Sequence, residues 1–187
     1  RAEGHNTWVI NPKNGFDQLL DGGGIIEGYN FTDNISRAVV DLTSVYSDDA
    51  NAVKRGIEYD KSTGAVLIRD ELDLKKTSEL YWFMHTKADI TLSADKKSAV
   101  LTAENLNGET KRLWVGITDG DGVFEIKAAA PLETSPNPDL WTENQNNAGD
   151  SVNPQTQNSN EGISKLAVHY QNTGLAVSQS VYMIPLK

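Results

Sequence analysis

The sequence contains no cysteine in its 187 residues. That excludes disulfides, thiolate metal sites and a cysteine nucleophile, while leaving the redox compartment open. Long apolar runs are missing too: the longest are a few residues, far short of the roughly 20 that a membrane-crossing helix requires. Positive charge is scarce. Lys and Arg total 17 against 26 Asp and Glu, a formal net charge of −9, so a grip on nucleic acid or on an anionic membrane through counterion release is not expected. The chain begins at Arg1 with no basic-then-apolar leader, the expectation for a mature product or a piece of something longer. At this length one domain over residues 1–187 can bury roughly two-thirds of its unfolded surface without staples.

What is present is alternation. Ala38, Val40 and Leu42 alternate with Arg37, Val39 and Asp41, and Val53, Ile57 and Tyr59 share one side of the next run. The polar Lys61-Ser62-Thr63-Gly64 then turns the chain into Ala65–Arg69, which predicts a hairpin. Ala99–Ala103 and Leu113–Ile117 flank Asn105-Leu106-Asn107-Gly108, where Asn and Gly tolerate positive φ, and predict a second. Leu80–His85 is bulky on both sides and reads as a central strand buried between layers. Further strands are expected at 123–126, 163–170 and 175–184. About a dozen strands exceed what one open sheet usually holds, so the expected fold is all-β, an antiparallel β-sandwich in two or more packed sheets. Helix signals are thin, with room for a turn or two within 44–53.

Glu133 to Gly162 differs in kind, being dominated by Asn, Gln, Ser and Pro. A polar loop this long inside a compact domain is either functional or a surface excursion. Its amides suit hydrogen bonding to sugars, and Trp141 is a candidate to stack on one.

No Ser or Thr stands in a nucleophile-elbow pattern, and no carboxylate pair is identifiable by spacing, so hydrolase chemistry has no support. Asp119-Gly120-Asp121-Gly122 resembles part of a calcium loop, but Ala130 occupies the position of the required bidentate Glu, which favours a tight turn. Of three histidines, His85 and His169 lie inside strand patterns and read as hydrogen-bonded or half-buried imidazoles. His5 precedes the first strand among Gly and small polar residues. That position suits either a structural histidine or one pointing toward a site. Trp82 and Trp114 read as core residues by their strand setting. Lys54, Arg55 and Arg69 are candidates for a local positive patch.

Arg1-Ala2-Glu3-Gly4-His5-Asn6-Thr7-Trp8-Val9-Ile10-Asn11, followed by Asp17-Gln18, resembles the "R-x-x-G/A-H-N-T" signature of the heparinase II/III-like polysaccharide lyases. Val53–Ile57, Val66–Asp70 and Leu80–Thr86 look like later strands of that family in the same order. The resemblance covers nearly the whole chain, and only its first motif is specific. It implies the C-terminal sandwich of a protein whose N-terminal part is an (α/α) toroid, with the substrate cleft between them. Family members cleave acidic, uronic-acid polysaccharides by β-elimination: a tyrosine, often with a histidine, takes the C5 proton while Asn, His or Arg neutralises the adjacent carboxylate. Most of these groups belong to the missing part, so no catalytic residue is assigned to this chain and the isolated sandwich is expected to be inactive.

By the same resemblance, His5 matches a zinc ligand whose His and Asp companions lie on preceding strands. Zinc is thus implied for the intact parent, with none held tightly by this fragment, since a site needs at least three protein ligands. Arg1 and Asn6 become candidate substrate-binding residues at the cleft edge. The implied setting is the periplasm or the outside of a bacterial cell. A second expectation, from another class, is a non-catalytic carbohydrate-binding or structural sandwich in which Trp8, Trp114 or Trp141 stacks on sugar rings.

Overall fold

Short alternating runs separated by Gly, Asn and Asp cannot bury their apolar sides alone, and here two sheets bury them against each other. The computed structural model describes residues 2–12, 17–134 and 160–187. These form twelve strands, two short 3-10 turns at Ala2–Gly4 and Thr43–Tyr46, and no α-helix among the described residues. The strands are β1 (Trp8–Ile10), β2 (Ile25–Phe31), β3 (Ile35–Asp41), β4 (Ala50–Asp60), β5 (Val66–Leu74) and β6 (Leu80–Thr86). The second half supplies β7 (Asp89–Leu92), β8 (Ser98–Glu104), β9 (Thr110–Asp119), β10 (Phe124–Ala128), β11 (Ser164–Tyr170) and β12 (Ala176–Leu186). All pairings are antiparallel. One sheet runs β1-β6-β11-β10 and the other β2-β3-β4-β5-β12-β9-β8-β7. The expected all-β sandwich is therefore the observed one.

Both expected hairpins form. Gly64 and Gly108 take φ of +75° and +76°, a region that costs a residue with a Cβ but not glycine. β6 is central in the small sheet, between β1 and β11, and is buried on both faces. Its inward Leu80 and Trp82 join Trp8, Phe124, Leu166 and Val168. From the large sheet, Val53, Leu72, Val115 and Val181 meet them in the main core. On the outer face of the small sheet, Val9, Tyr81, Phe83 and Ala167 form a second cluster covered by Ala2 and Leu132.

Trp114 does not enter the core. Alternation from the buried Val115 turns it to the outer face of the large sheet, where its indole lies half-buried across Gly116. A Cβ on Gly116 would stand 2.0 Å from the ring, so glycine makes the space that the tryptophan occupies.

The Asp119–Gly122 segment is a turn. Gly120 has a φ of +102°, and Lys97 Nζ donates to the carbonyls of Gly120 at 3.2 Å and Gly122 at 2.7 Å. An ammonium thus takes the oxygens that a calcium loop would offer a cation. The turn packs against β11 so closely that a Cβ on Gly122 would sit 2.2 Å from Val168 Cγ1. Gly122→Ala is expected to cost about 1–3 kcal/mol of stability, the usual penalty of overpacking, measurable by urea unfolding.

Candidate functional site

Asn6, just before β1, joins the two sheets. The Asn6 carbonyl accepts from Arg55 Nη1 on β4 of the large sheet at 2.7 Å. Its side-chain Oδ1 accepts from the backbone N–H of His85 on β6 at 2.8 Å and lies 3.3 Å from His85 Nδ1. With Oδ1 so held, the amide Nδ2 remains a donor without a partner among the described residues. Asn6 and its neighbour His5 are both exposed. His5 is fixed through its backbone N–H, which donates to Ala2 O at 2.8 Å.

Arg55 is placed by Asp70. Alternation sends both toward the core side of the large sheet, as register partners on β4 and β5. Arg55 Nε donates to Oδ1 at 2.6 Å and Nη2 to Oδ2 at 2.9 Å, a two-pronged pair whose side chains are 12% and 2% exposed. The third nitrogen is what reaches Asn6.

A second buried ion pair lies on the other side of His85. Lys165 Nζ, on β11, donates to Glu3 Oε1 at 2.9 Å and to Ala130 O at 2.7 Å, and stands 4.6 Å from the centre of the Phe83 ring. Glu3 Oε1 also accepts from Leu132 N at 2.7 Å, so one carboxylate ties the chain start and the 130–132 segment to the small sheet. Burial pushes the His85 imidazole below its ordinary pKa, and the charges of Lys165 and His5 push the same way, with Glu3 opposing. His85 therefore favours its neutral form near pH 7.

Farther along the same outer face, His169 Nε2 lies 2.8 Å from Glu79 Oε1, and its ring stacks on Tyr81 at 4.0 Å between centres. Burial and the Glu79 charge push the Tyr81 phenol well above its ordinary pKa. Tyr81 is thus a poor source of phenolate.

The candidate residues read from the sequence divide clearly. His5 and Asn6 stand together at an exposed end of the sandwich. Arg1 and Trp141, and nearly all of the 133–162 loop, lie outside the described residues. Trp8 is fully buried and offers no ring to a sugar, a correction that follows from its inward position on β1. Lys54, Arg55 and Arg69 form no positive patch: they pair with Glu27, Asp70 and Glu71 respectively, and Arg69 also reaches Asp119 at 3.3 Å. His85 becomes a neighbour of the site only through folding, since 79 residues separate it from Asn6.

No family model matches the chain, and no curated protein does. Solved structures do. A heparinase III gene product with methylated lysines aligns over 100% of this chain with a TM-score of 0.64 at 12% identity. Heparan sulfate lyase HepC from Pedobacter heparinus aligns over 99% with a TM-score of 0.63 at 9% identity, and a mutant of it with 0.65. The chain has a heparinase III-like fold. It spans 24% of the length of each of these solved chains, so it is similar to one part of them. The resemblance carried by the His5-Asn6-Thr7 segment thus extends to the architecture of nearly all residues.

Among the described residues no group of three or more His, Asp or Glu is placed to hold a metal. His5 has the neighbouring imidazole of His85, whose Nδ1 faces Asn6.

Proposed function

We propose that this chain is the sandwich domain of a heparinase II/III-like polysaccharide lyase, cleaving uronic-acid polysaccharides by β-elimination in the periplasm or outside the cell. Its partner on this reading is an N-terminal (α/α) toroid of the same parent, and its substrate an acidic polysaccharide. The observation that carries the reading is the structural likeness of essentially the entire chain to heparin-type lyases.

Removal of a C5 proton requires the neighbouring carboxylate to lose its negative character, which an N–H donor at that carboxylate supplies. Asn6 suits this role, because His85 fixes its amide and leaves Nδ2 to donate. Arg1 is proposed beside it, and Trp141 as a stacking residue. The base that takes the proton comes from the parent, so the isolated sandwich is inactive. His5 is proposed as one zinc ligand, completed by residues of the parent outside this chain.

The test is the appearance of the unsaturated uronate chromophore from heparan sulfate, heparin, chondroitin and alginate. The parent protein is expected to produce it from at least one of these, and the 187-residue chain from none. Asn6→Ala in the parent is expected to lower kcat/KM by 10-fold or more, about the loss of one oriented donor to a developing charge. A parent inactive on all four polymers would defeat the reading. For zinc, the chain alone is expected to lose the metal on dialysis; stoichiometric zinc that disappears on His5→Ala would show that the site is complete here.

A further inference from the structure

The two sheets are unequal, four strands against eight. From the large sheet the shared core takes Val53 of β4, Leu72 of β5, Val181 of β12, Val115 of β9 and Leu101 of β8, and among the described residues no layer faces the far ends of β2, β3 and β4, where Tyr29, Phe31, Ile57 and Tyr59 are exposed. Register identifies what is left bare. Phe31, Ser36, Tyr59 and Val66 form one cross-strand row, and Tyr29, Ala38, Ile57 and Ile68 the next. Both rows lie on the side of Val53 and Leu72, the side that elsewhere forms the core.

Tyr29 is 72% exposed, Phe31 64%, and Ile57 and Tyr59 42% each. Isolated exposed apolar residues are ordinary; a contiguous set on the inward face of a sandwich is not. Tyr29 and Phe31 stack at 5.4 Å between ring centres and still face solvent. The opposite face of the same strands carries Arg37 paired to Glu58, and Val39 there is 38% exposed. The exposed side is therefore the wrong side for a free surface and the right one for a core.

We infer that this face, centred on Tyr29, Phe31, Ile57 and Tyr59, is a docking surface covered by polypeptide of the parent chain outside residues 1–187. The inference rests on the proposed parent lyase and specifies where the parent meets the sandwich. Three observations select this occupant. The face adjoins the interface between the sheets across the Arg55–Asp70 pair, so a protein layer over it extends what is already there. Its two rows hold no charged residue, so an acidic polysaccharide finds no cation on it. The chain spans only 24% of the solved structures it matches, which leaves ample polypeptide to supply a cover. Because Arg55 and Asn6 border the patch, its occupant abuts the candidate site.

Hydroxyl-radical footprinting tests this by comparing the 187-residue chain with the polypeptide its native gene encodes. In the short chain Tyr29, Phe31 and Tyr59 are expected to label strongly. In the encoded polypeptide their labelling is expected to fall toward that of buried Trp8 and Trp82, while Leu106, fully exposed at a hairpin tip, stays unchanged. As a second measurement, Tyr29→Ser with Ile57→Thr is expected to lower the melting temperature of the encoded polypeptide and leave that of the short chain nearly unchanged.

Equal labelling of the two forms would overturn the inference. So would a gene encoding nothing beyond this chain. Protection that appears in the short chain as its concentration rises would assign the face to a second copy instead, and protection by added oligosaccharide would assign it to glycan. Lyase activity of the encoded polypeptide is scored separately. Protection without activity defeats the lyase reading and leaves the docking face standing; activity without protection does the reverse.

Discussion

Asp70→Ala is expected to destabilise the sandwich by about 3–5 kcal/mol, the cost of stranding one member of a buried ion pair. Among the described residues Asp70 is the only carboxylate bonded to the Arg55 fork, and its side chain is 2% exposed. Its loss leaves the Arg55 guanidinium, 12% exposed, between the sheets with a charge that it cannot shed by losing a proton. Urea unfolding measures the loss directly, and the melting temperature is expected to fall by roughly 10 °C for a domain of this size. Replacing both partners, Arg55→Leu with Asp70→Leu, is expected to restore much of the stability, because no charge is then left unpaired. A double variant as unstable as Asp70→Ala would show that shape, rather than charge pairing, holds the two strands. The double variant has a second consequence. It removes the Arg55 donor to the Asn6 carbonyl, so the amide protons of residues 5–7 are expected to exchange faster in a chain that remains folded.

Lys165→Met is expected to cost about 3 kcal/mol, at the lower end of the same range. It removes from the buried Glu3 carboxylate the ammonium at 2.9 Å and from the Ala130 carbonyl its donor, while Leu132 N still donates to Glu3. Hydrogen exchange is therefore expected to show the loss concentrated in residues 2–5 and 130–132, the segments that Glu3 and Lys165 tie together. Adding Glu3→Gln is expected to recover part of the loss, since an amide is cheaper to bury than a carboxylate. The charge of Lys165 also acts on His85. With that repulsion gone, the His85 pKa is expected to rise toward its ordinary value, while staying below it because burial, the larger cause, is unchanged. Titration of the ring protons by NMR measures this, and an unchanged value would mean that Lys165 is screened from the site.

Much of the fold was legible because turn chemistry and alternation agreed. Gly64 and Gly108 stand where the backbone needs positive φ, and the strands they join have inward Val53, Leu72, Leu101 and Val115 at every second position. β2 was missed for a physical reason. All seven of its residues are exposed, and a bulge between Ile26 and Gly28 breaks its alternation. The aromatic side chains that would have marked it face an uncovered surface. β7, four residues at the opposite edge, was equally faint. Trp114 misled because Leu113–Ile117 is apolar on both sides, and size alone suggested the core; Gly116, two residues on, was the signal that the ring had room outside.

The candidate site was less legible than the fold. His5 and Asn6 were found through a short motif, but the groups that fix them were not. Arg55 is 49 residues from Asn6 and His85 is 79 residues away. Arg55 was read as part of a positive patch because its charge is visible in the sequence, whereas its partner Asp70 is found only by pairing β4 with β5. A formal net charge of −9 is an awkward match to an acidic polymer, since like charges repel at long range. The prominent cations Lys54, Arg55, Arg69 and Lys165 are all in ion pairs. On the proposed reading, none of these four cations is free for an acidic substrate.

The most direct test of the account is the native coding sequence on the 5′ side of Arg1. The account predicts several times this chain's length of helix-patterned sequence, carrying the cleft Tyr, His and Asn, and a His and an Asp shortly before His5 to complete the zinc site. A secretion signal or an unrelated domain ending directly before Arg1 would contradict it, because the sandwich would then work without a toroid.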